Sequence, residues 1–239
     1  MAGEQPFGDH GADVGLAFDG DADRVFLVDD QGQLVSGSLT TAIVAAAMLD
    51  QNPGATILHN LICSKAVPEI IAERGGTPVR TRVGHSFIKQ VMAETGAAFG
   101  GEHSGHYYFR DNYRADSGII AAVVVLGVLS AAGVPLSELR RPFERYADSG
   151  EINTVVPDPR AVIEAVAARF PASAQDRLDG LTVDLTTGDT ADPADPWWFN
   201  LRPSNTEPLL RLNLEASDRA ACDRHVAEVR ALIAEAAGS

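Results

Sequence analysis

"GLAFDGDADRVFLVDD", residues 15–30, sets three carboxylates, Asp19, Asp21 and Asp23, within five positions between two apolar runs. Residues 15–18 and 25–28 are short and hold β-branched or aromatic side chains, so they read as strands, with Asp29-Asp30-Gln31-Gly32 as the next turn. Two carboxylates about 5 Å apart repel by roughly 3 kcal/mol at an effective dielectric near 20. A solvated turn relieves that by splaying its side chains; a site relieves it with a hard cation. Alternation sends three oxygens toward one point, which suits Mg²⁺ completed by water or phosphate oxygen. An EF-hand loop would need Gly at its sixth position and Glu at its twelfth, where this sequence has Arg24 and Asp30.

Downstream of the acidic loop, strand and helix patterns alternate. Residues 36–49 read as an Ala-rich helix stopped by Asn52-Pro53-Gly54, 55–62 as a strand, 67–74 as a helix ended by Gly75-Gly76, and 77–83 as a strand. Residues 87–94 read as helical, 97–99 and 107–109 as short strands, and a long apolar helix opens at Ser117. The alternation predicts a mixed, mostly parallel α/β domain over residues 36–149. The pattern then changes: a strand at 151–156, a helix at 160–170, strands at 181–186, 197–202 and 209–214, and an amphipathic helix at 218–237. Such a run predicts a smaller α+β domain with an antiparallel sheet over residues 150–239. Residues 1–35 are left as a stub, two strands without helices or partners of their own.

Composition narrows the partners. The 239 residues are 45% hydrophobic and carry a net charge of −14, with a pI near 4.7, which argues against nucleic acid or an anionic membrane. Residues 118–136 hold no charge and reach the length of a spanning helix. The run is Ala- and Gly-rich and lacks aromatic ends or a basic flank, so a buried core helix is expected and no membrane contact. Cys63 and Cys222 show no metal or redox spacing, and MAGEQPFGDHG has no signal-peptide pattern; a cytoplasmic protein is expected.

Three further stretches carry chemistry. In "GGEHSGHYYF", residues 100–109, Glu102, Ser104 and His106 alternate, so an extended segment would turn a carboxylate, a hydroxyl and an imidazole to one face, a set suited to a polyol. A zinc site from Glu102, His103 and His106 lacks Cys and a helical frame, and the alternation separates His103 from the other two. In "NLRPSNTEPLLRL", residues 200–212, Arg202 precedes Ser204, Asn205 and Thr206, ordinary turn residues that also match a phosphate cradle. In "RVGHSFIKQVM", residues 82–92, His85 sits at a helix start with Ser86 as a possible N-cap.

Together, and in this order, the four stretches resemble the α-D-phosphohexomutases, the phosphomannomutase/phosphoglucomutase family, over nearly the whole chain. The resemblance implies that Asp19, Asp21 and Asp23 ligate Mg²⁺, with Arg24 beside the transferring phosphate. It implies Glu102 and Ser104 on hexose hydroxyls with His106 nearby, and His85 at the mouth of the site. It places Arg202, Ser204, Asn205 and Thr206 on the non-transferring phosphate. The implied chemistry is phosphoryl transfer between the 1- and 6-positions of mannose or glucose phosphates through a bisphosphate intermediate.

Two departures from the family pattern follow. A family lysine in the strand after the metal loop falls, counting back from His85, on Ile62, with Lys65 the nearest lysine. The family's phosphoserine lies in a Thr-x-Ser-His-Asn-Pro stretch that these 239 residues do not contain. Residues 1–35 resemble the tail of the family's second domain, 36–149 the sugar-binding third and 150–239 the phosphate-binding fourth. The expectation is a C-terminal half that is inactive alone, with hexose phosphates and a separate N-terminal mutase half as partners. The alternative is a non-catalytic sugar-phosphate-binding module.

Overall fold

Side-chain oxygens start four of the helices: Ser36 accepts from the Leu39 amide, Ser117 from Ile120, Asp158 from Arg160 and Ala161, and Asp218 from Ala221. Gly96 and Gly133 close two helices at φ 68° and 64°, a left-handed conformation that a Cβ disfavours. The computed structural model describes residues 11–204 and 207–238. The chain divides into two units, Met1–Glu144 and Arg145–Ser239.

The first unit opens with β1 (Val14–Phe18), β2 (Val25–Asp29) and β3 (Leu34–Val35), an antiparallel sheet in that order. The chain continues through α1 (Gly37–Gln51), β4 (Thr56–Asn60), α2 (Ala66–Glu73), β5 (Thr77–Thr81), α3 (His85–Thr95), β6 (Phe99–Gly101) and β7 (Tyr107–Phe109). The second sheet has the order β5-β4-β6-β7, parallel except for β7. Two helices, α4 (Gly118–Ala132) and α5 (Leu136–Leu139), follow it. This is the expected mixed, mostly parallel α/β layer.

Two expectations for this unit are corrected. Residues 11–35 are not an unpartnered stub: β2 packs on α1 and α4, and Val25, Leu27 and Val35 are fully buried. Polar ties add to this packing. The Arg140 guanidinium meets the buried Asp29 at 2.8 Å, and Asp30 accepts from both the amide and the hydroxyl of Ser137. Nor is α4 a core helix all round. Ala121, Ala122, Val125 and Leu129 are buried, while Ile119, Val123 and Leu126 on the opposite side are exposed. Among the described residues no single helix is long and apolar enough to cross a membrane.

The second unit consists of β8 (Ala147–Val155), α6 (Pro159–Ala167), β9 (Gln175–Asp176), β10 (Leu181–Asp184), β11 (Trp197–Pro203), β12 (Leu209–Ala216) and α7 (Arg219–Ala237). Its sheet is antiparallel throughout, in the order β8-β12-β11-β10-β9. Period-two alternation gives the sheet two unlike faces. Phe199, Leu201, Leu212 and Leu214 join α6 and α7 in the core, and Asn200, Arg202, Arg211 and Asn213 alternate with them on the other face. β8 starts at Ala147, four residues before the strand expected from 151, and takes in the polar Asp148-Ser149-Gly150 stretch. There the Leu214 amide donates to Ser149 Oγ where the register shifts, and Gly150 takes φ 64°.

A charged cluster joins the loop before β11 to α7. Trp197 stacks on His225 with ring centroids 4.0 Å apart, and Asp195 Oδ2 lies 2.9 Å from His225 Nε2 and 2.7 Å from Arg224. The Arg224 hydrogen bond, and after it His225, hold the Asp195 carboxyl below its ordinary value against the opposing effect of burial. A depressed carboxylate contributes stability that is present above its unfolded pKa, near 3.9, and lost as pH falls through the folded value. Urea unfolding between pH 5 and pH 2.5 therefore loses less stability in Asp195→Asn than in the parent. Identical pH profiles would refute the assignment.

Candidate functional site

The acidic loop is a tight turn between β1 and β2. The Ala22 amide donates to the Asp19 carbonyl at 3.3 Å, and Ala22 itself sits at φ 59°. This left-handed residue costs about 1 kcal/mol. The carboxylates of Asp19, Asp21 and Asp23 come within 4.8 Å of one another, as the alternation predicts. Arg24 closes the loop, its amide on Asp19 Oδ1 at 3.2 Å and its Nε on Oδ2 at 2.7 Å. That hydrogen bond lowers the Asp19 pKa, whereas burial, followed by the charges of Asp21 and Asp19, raises that of Asp23 even beside His106. Asp23 Oδ1 is shut off from solvent and has no hydrogen-bond partner. Three hard oxygens with one orphaned carboxylate oxygen fit a small divalent cation such as Mg²⁺.

Glu102, Ser104 and His106 gather differently from the expected extended strand. The Glu102 amide donates to the His106 carbonyl and the Gly105 amide to the Glu102 carbonyl, so the segment is a tight hairpin turn between β6 and β7. The hairpin brings His106 Nδ1 within 3.4 Å of Ser104 Oγ and 3.6 Å of Glu102 Oε2. Glu102 is buried, its side chain 3% exposed. Its carboxylate accepts from Tyr108 Oη at 2.9 Å, the Gly84 amide at 3.0 Å and Asn60 Nδ2 at 3.3 Å. Burial, and then the facing Glu102, push the Tyr108 hydroxyl pKa upward. His103 turns away to Ser38 in the first turn of α1, 2.9 Å from its Oγ.

The helix α3 starts at His85, with Gly84 rather than Ser86 at its cap position, and no side chain caps it. This corrects the N-cap expected at Ser86. A glycine is needed because Gly84 has φ 125° while its amide points at Glu102. His85 is exposed at the first helical position. Ile62 is buried in the core and Lys65 lies at the start of α2.

Backbone contacts join the acidic loop to the hairpin. The Val25 amide donates to the Gly105 carbonyl at 3.2 Å, Arg24 and His106 form an antiparallel bridge, and the Gly118 amide donates to the Ala22 carbonyl at 3.1 Å. His106 Nε2 thereby lies 3.5 Å from Asp23 Oδ1. A Cβ on Gly118 would sit 2.5 Å from the Arg24 carbonyl carbon and oxygen, so only glycine admits this approach.

In the second unit Arg202 Nη2 meets Glu151 Oε2 at 3.0 Å, and Arg211 Nη1 meets the other Glu151 oxygen at 3.1 Å. Arg211 Nη2 lies 3.4 Å from Ser204 Oγ, and the Ser204 amide donates to the Leu209 carbonyl. Asn205 and Thr206 lie outside the described residues.

Residues 36–146 match the family model described as "Phosphoglucomutase/phosphomannomutase, alpha/beta/alpha domain III", and residues 151–232 match "Phosphoglucomutase/phosphomannomutase, C-terminal domain". The chain belongs to the phosphoglucomutase/phosphomannomutase family. A phosphomannomutase of Methanocaldococcus jannaschii is 42% identical over 223 residues, 93% of this chain and 48% of that protein. A phosphoglucomutase/phosphomannomutase family protein from Burkholderia thailandensis superposes with a TM-score of 0.80 at 30% identity, over 96% of this chain and 48% of that one. Aspergillus fumigatus N-acetylphosphoglucosamine mutase, solved with GlcNAc-6P and magnesium, shares the fold at 15% identity and a TM-score of 0.66, over 93% of this chain and 48% of that one. The chain spans about half the length of the curated relatives it matches.

Within this family fold the structure adds residues that sequence reading passed over. Lys89 Nζ bonds Asp116 Oδ1 at 2.7 Å and lies 5.6 Å from the Tyr108 ring centroid. Asp116 forms a second cluster with Asp23 and His106, their ligand atoms also within 4.8 Å of one another. Burial acts to raise the Asp116 pKa, but the Lys89 hydrogen bond and other favourable contacts leave it lowered. Lys89 follows His85 by one helical turn in a segment already singled out, which was the available signal. Arg211 was findable too, because Arg202 and Arg211 flank one hairpin loop and pair across it.

The glycine contact yields a test within one helix. Gly118→Ala forces the acidic-loop backbone away and costs about 1–3 kcal/mol by overpacking. Gly127→Ala on the same helix meets nothing within 4 Å and adds up to about 1 kcal/mol through helix propensity. Urea denaturation of both variants checks the opposite signs.

Proposed function

We propose that this chain supplies the metal, sugar and phosphate loops of a phosphohexomutase of the phosphomannomutase/phosphoglucomutase type, an isomerase moving a phosphoryl group between O1 and O6 of a hexose phosphate. The observation that carries this reading is the backbone-tied platform on which Asp19, Asp21 and Asp23 lie beside Arg24 and the Glu102–His106 hairpin. Mg²⁺ held by the three aspartates would act there as a Lewis acid on a phosphoryl oxygen. The magnesium and GlcNAc-6P bound to the Aspergillus fumigatus neighbour support that choice of ion and substrate class.

The chain's own side chains supply the rest. Arg24 places a guanidinium next to the aspartates, suited to the charge of the moving phosphoryl group. Glu102, held in one orientation by three donors, offers fixed acceptor oxygens to sugar hydroxyls, and Ser104 and His106 offer donors beside it. His85 stands at the mouth. In the second unit Arg202 and Arg211 both meet the Glu151 carboxylate, which sets two guanidiniums side by side. With Ser204, Asn205 and Thr206 they take the non-reacting phosphate, which carries about −1.5 to −2 charges at neutral pH.

Transfer breaks the bond from phosphorus to an enzyme serine and forms one to the sugar oxygen. The 239 residues hold no Thr-x-Ser-His-Asn-Pro stretch, and Ser86, Ser104 and Ser204 belong to other loops. Binding without turnover is therefore expected of the chain alone.

Calorimetry tests the binding. Asp21→Asn weakens Mn²⁺, used in place of Mg²⁺, about tenfold or more. Arg202→Ala weakens mannose 6-phosphate by about 2–3 kcal/mol through the lost charged contact. Unchanged affinities in both variants would overturn the reading. A coupled assay of mannose 1-phosphate conversion, primed with glucose 1,6-bisphosphate, shows no turnover by the chain alone. Continued absence of turnover once an N-terminal mutase half is bound would favour the non-catalytic sugar-phosphate-binding module.

A further inference from the structure

Two donor sets meet at Asp23. Asp19, Asp21 and Asp23 offer three carboxylate oxygens, while Asp23, His106 and Asp116 offer two such oxygens and an imidazole nitrogen. In each set the ligand atoms lie within 4.8 Å of one another. An all-oxygen set suits Mg²⁺. Imidazole suits Co²⁺, Ni²⁺ and Zn²⁺, and these bind a mixed nitrogen and oxygen set more tightly than Mg²⁺ does. Affinity alone would therefore draw Asp23 into the second set unless one of its members is withheld.

His106 is not the member withheld. Its Nε2 lies 3.5 Å from Asp23 Oδ1, the oxygen shut off from solvent without a hydrogen-bond partner. Its Nδ1 lies 3.6 Å from Oε2 of the buried Glu102. A carboxylate behind one ring nitrogen orients the other nitrogen and strengthens it as a ligand. Asp116 is withheld instead. Lys89 Nζ bonds its Oδ1 at 2.7 Å, and the Asp116 side chain is only 12% exposed. Lys89 is itself held in place. It projects from α3 beside the buried Ile88, and its Nζ lies 5.6 Å from the centre of the Tyr108 ring. Tyr108 and Asp116 form an antiparallel bridge, so ring, cation and carboxylate share one backbone frame.

We propose that Lys89 sets metal selectivity: by pairing with Asp116 it leaves Asp23 to the all-oxygen set and keeps nitrogen-seeking divalent ions out of the acidic loop. Lys89 acts through Asp116, which makes it a positioning residue. The proposal rests on the reading of Asp19, Asp21 and Asp23 as ligands of a hard cation. Arg24 does not share the role, because its Nε bonds Asp19, a member of the oxygen set, at 2.7 Å.

Titration of the 239-residue chain with Co²⁺ and with Mg²⁺ tests this. Visible absorption of Co²⁺ reports nitrogen ligation, and Mg²⁺ is read by calorimetric competition with Mn²⁺. In the parent the Co²⁺ spectrum is that of an all-oxygen site and is unchanged by His106→Gln. Lys89→Met raises the affinity for Co²⁺ relative to Mg²⁺ at least tenfold and brings a nitrogen-ligated spectrum. Lys89→Gln does the same without adding an apolar surface side chain. Adding His106→Gln or Asp116→Asn to either variant abolishes both effects, and Lys89→Arg, which keeps the charge, behaves as the parent. A merely structural role would shift both ions alike and leave the spectrum that of an all-oxygen site. An unchanged ratio in both neutral variants, a gain that survives His106→Gln, or nitrogen ligation already present in the parent overturns the proposal. Mn²⁺ affinity indifferent to Asp21→Asn removes the reading of the oxygen set and this proposal with it. An Asp21-dependent site without a Lys89 effect removes this proposal alone.

Discussion

The hydrogen bond from the Val25 amide to the Gly105 carbonyl, reinforced by the bridge between Arg24 and His106, fixes two loops far apart in sequence against one another. Neither loop could be placed by its own residues. The acidic loop carries clustered negative charge that favours splaying, and the hairpin buries a carboxylate that needs three donors. Main-chain bonds are insensitive to side-chain ionisation, so they hold the geometry while the charges above them change. Gly118 completes the arrangement, because its missing Cβ lets the first turn of α4 reach the Ala22 carbonyl.

Charge is distributed locally in an acidic chain. Arg24 satisfies Asp19, Lys89 satisfies Asp116, and Asp23 between them keeps an orphaned oxygen and a raised pKa. Arg24 Nε and His106 Nε2 stand 3.7 and 3.5 Å from that oxygen, near enough to act through charge without a hydrogen bond. In the second unit the sign is reversed, and one carboxylate meets two guanidiniums.

Sequence carried the local features well. The aspartate spacing, the helix starts near Ser36, Ser117 and Asp218, and the change from alternating strand and helix to a run of strands all follow from short-range chemistry. It failed where a residue's environment is set by a distant partner. Period-two alternation predicted that Glu102 and His106 share an extended face, yet a tight turn brings them together, because Tyr108, Gly84 and Asn60 draw the carboxylate inward. Uncharged residues 118–136 suggested full burial, but composition does not record which side of a helix has neighbours. Lys89 and Arg211 acquire meaning only through pairing with Asp116 and with Glu151 and Ser204.

The placement of Arg202 and Arg211 depends on register more than on residue type. In β11 the residues Trp197, Phe199 and Leu201 face the core and Asn200 and Arg202 face away, while β12 sends Leu210, Leu212 and Leu214 inward and Arg211 and Asn213 outward. A slip of one residue would turn both arginines into the apolar layer and bring leucines to the polar face. The large hydrophobic set therefore enforces the position of a small charged one. Trp198 adds a check on the polar face, its indole donating to Glu215 across the pair at 2.9 Å. At Arg202 and Arg211 the two guanidiniums stand directly opposite each other, a like-charge pairing that is unfavourable in isolation. Glu151 on the neighbouring strand offsets that repulsion, so the core's packing energy preserves an arrangement that the two guanidiniums alone would disperse.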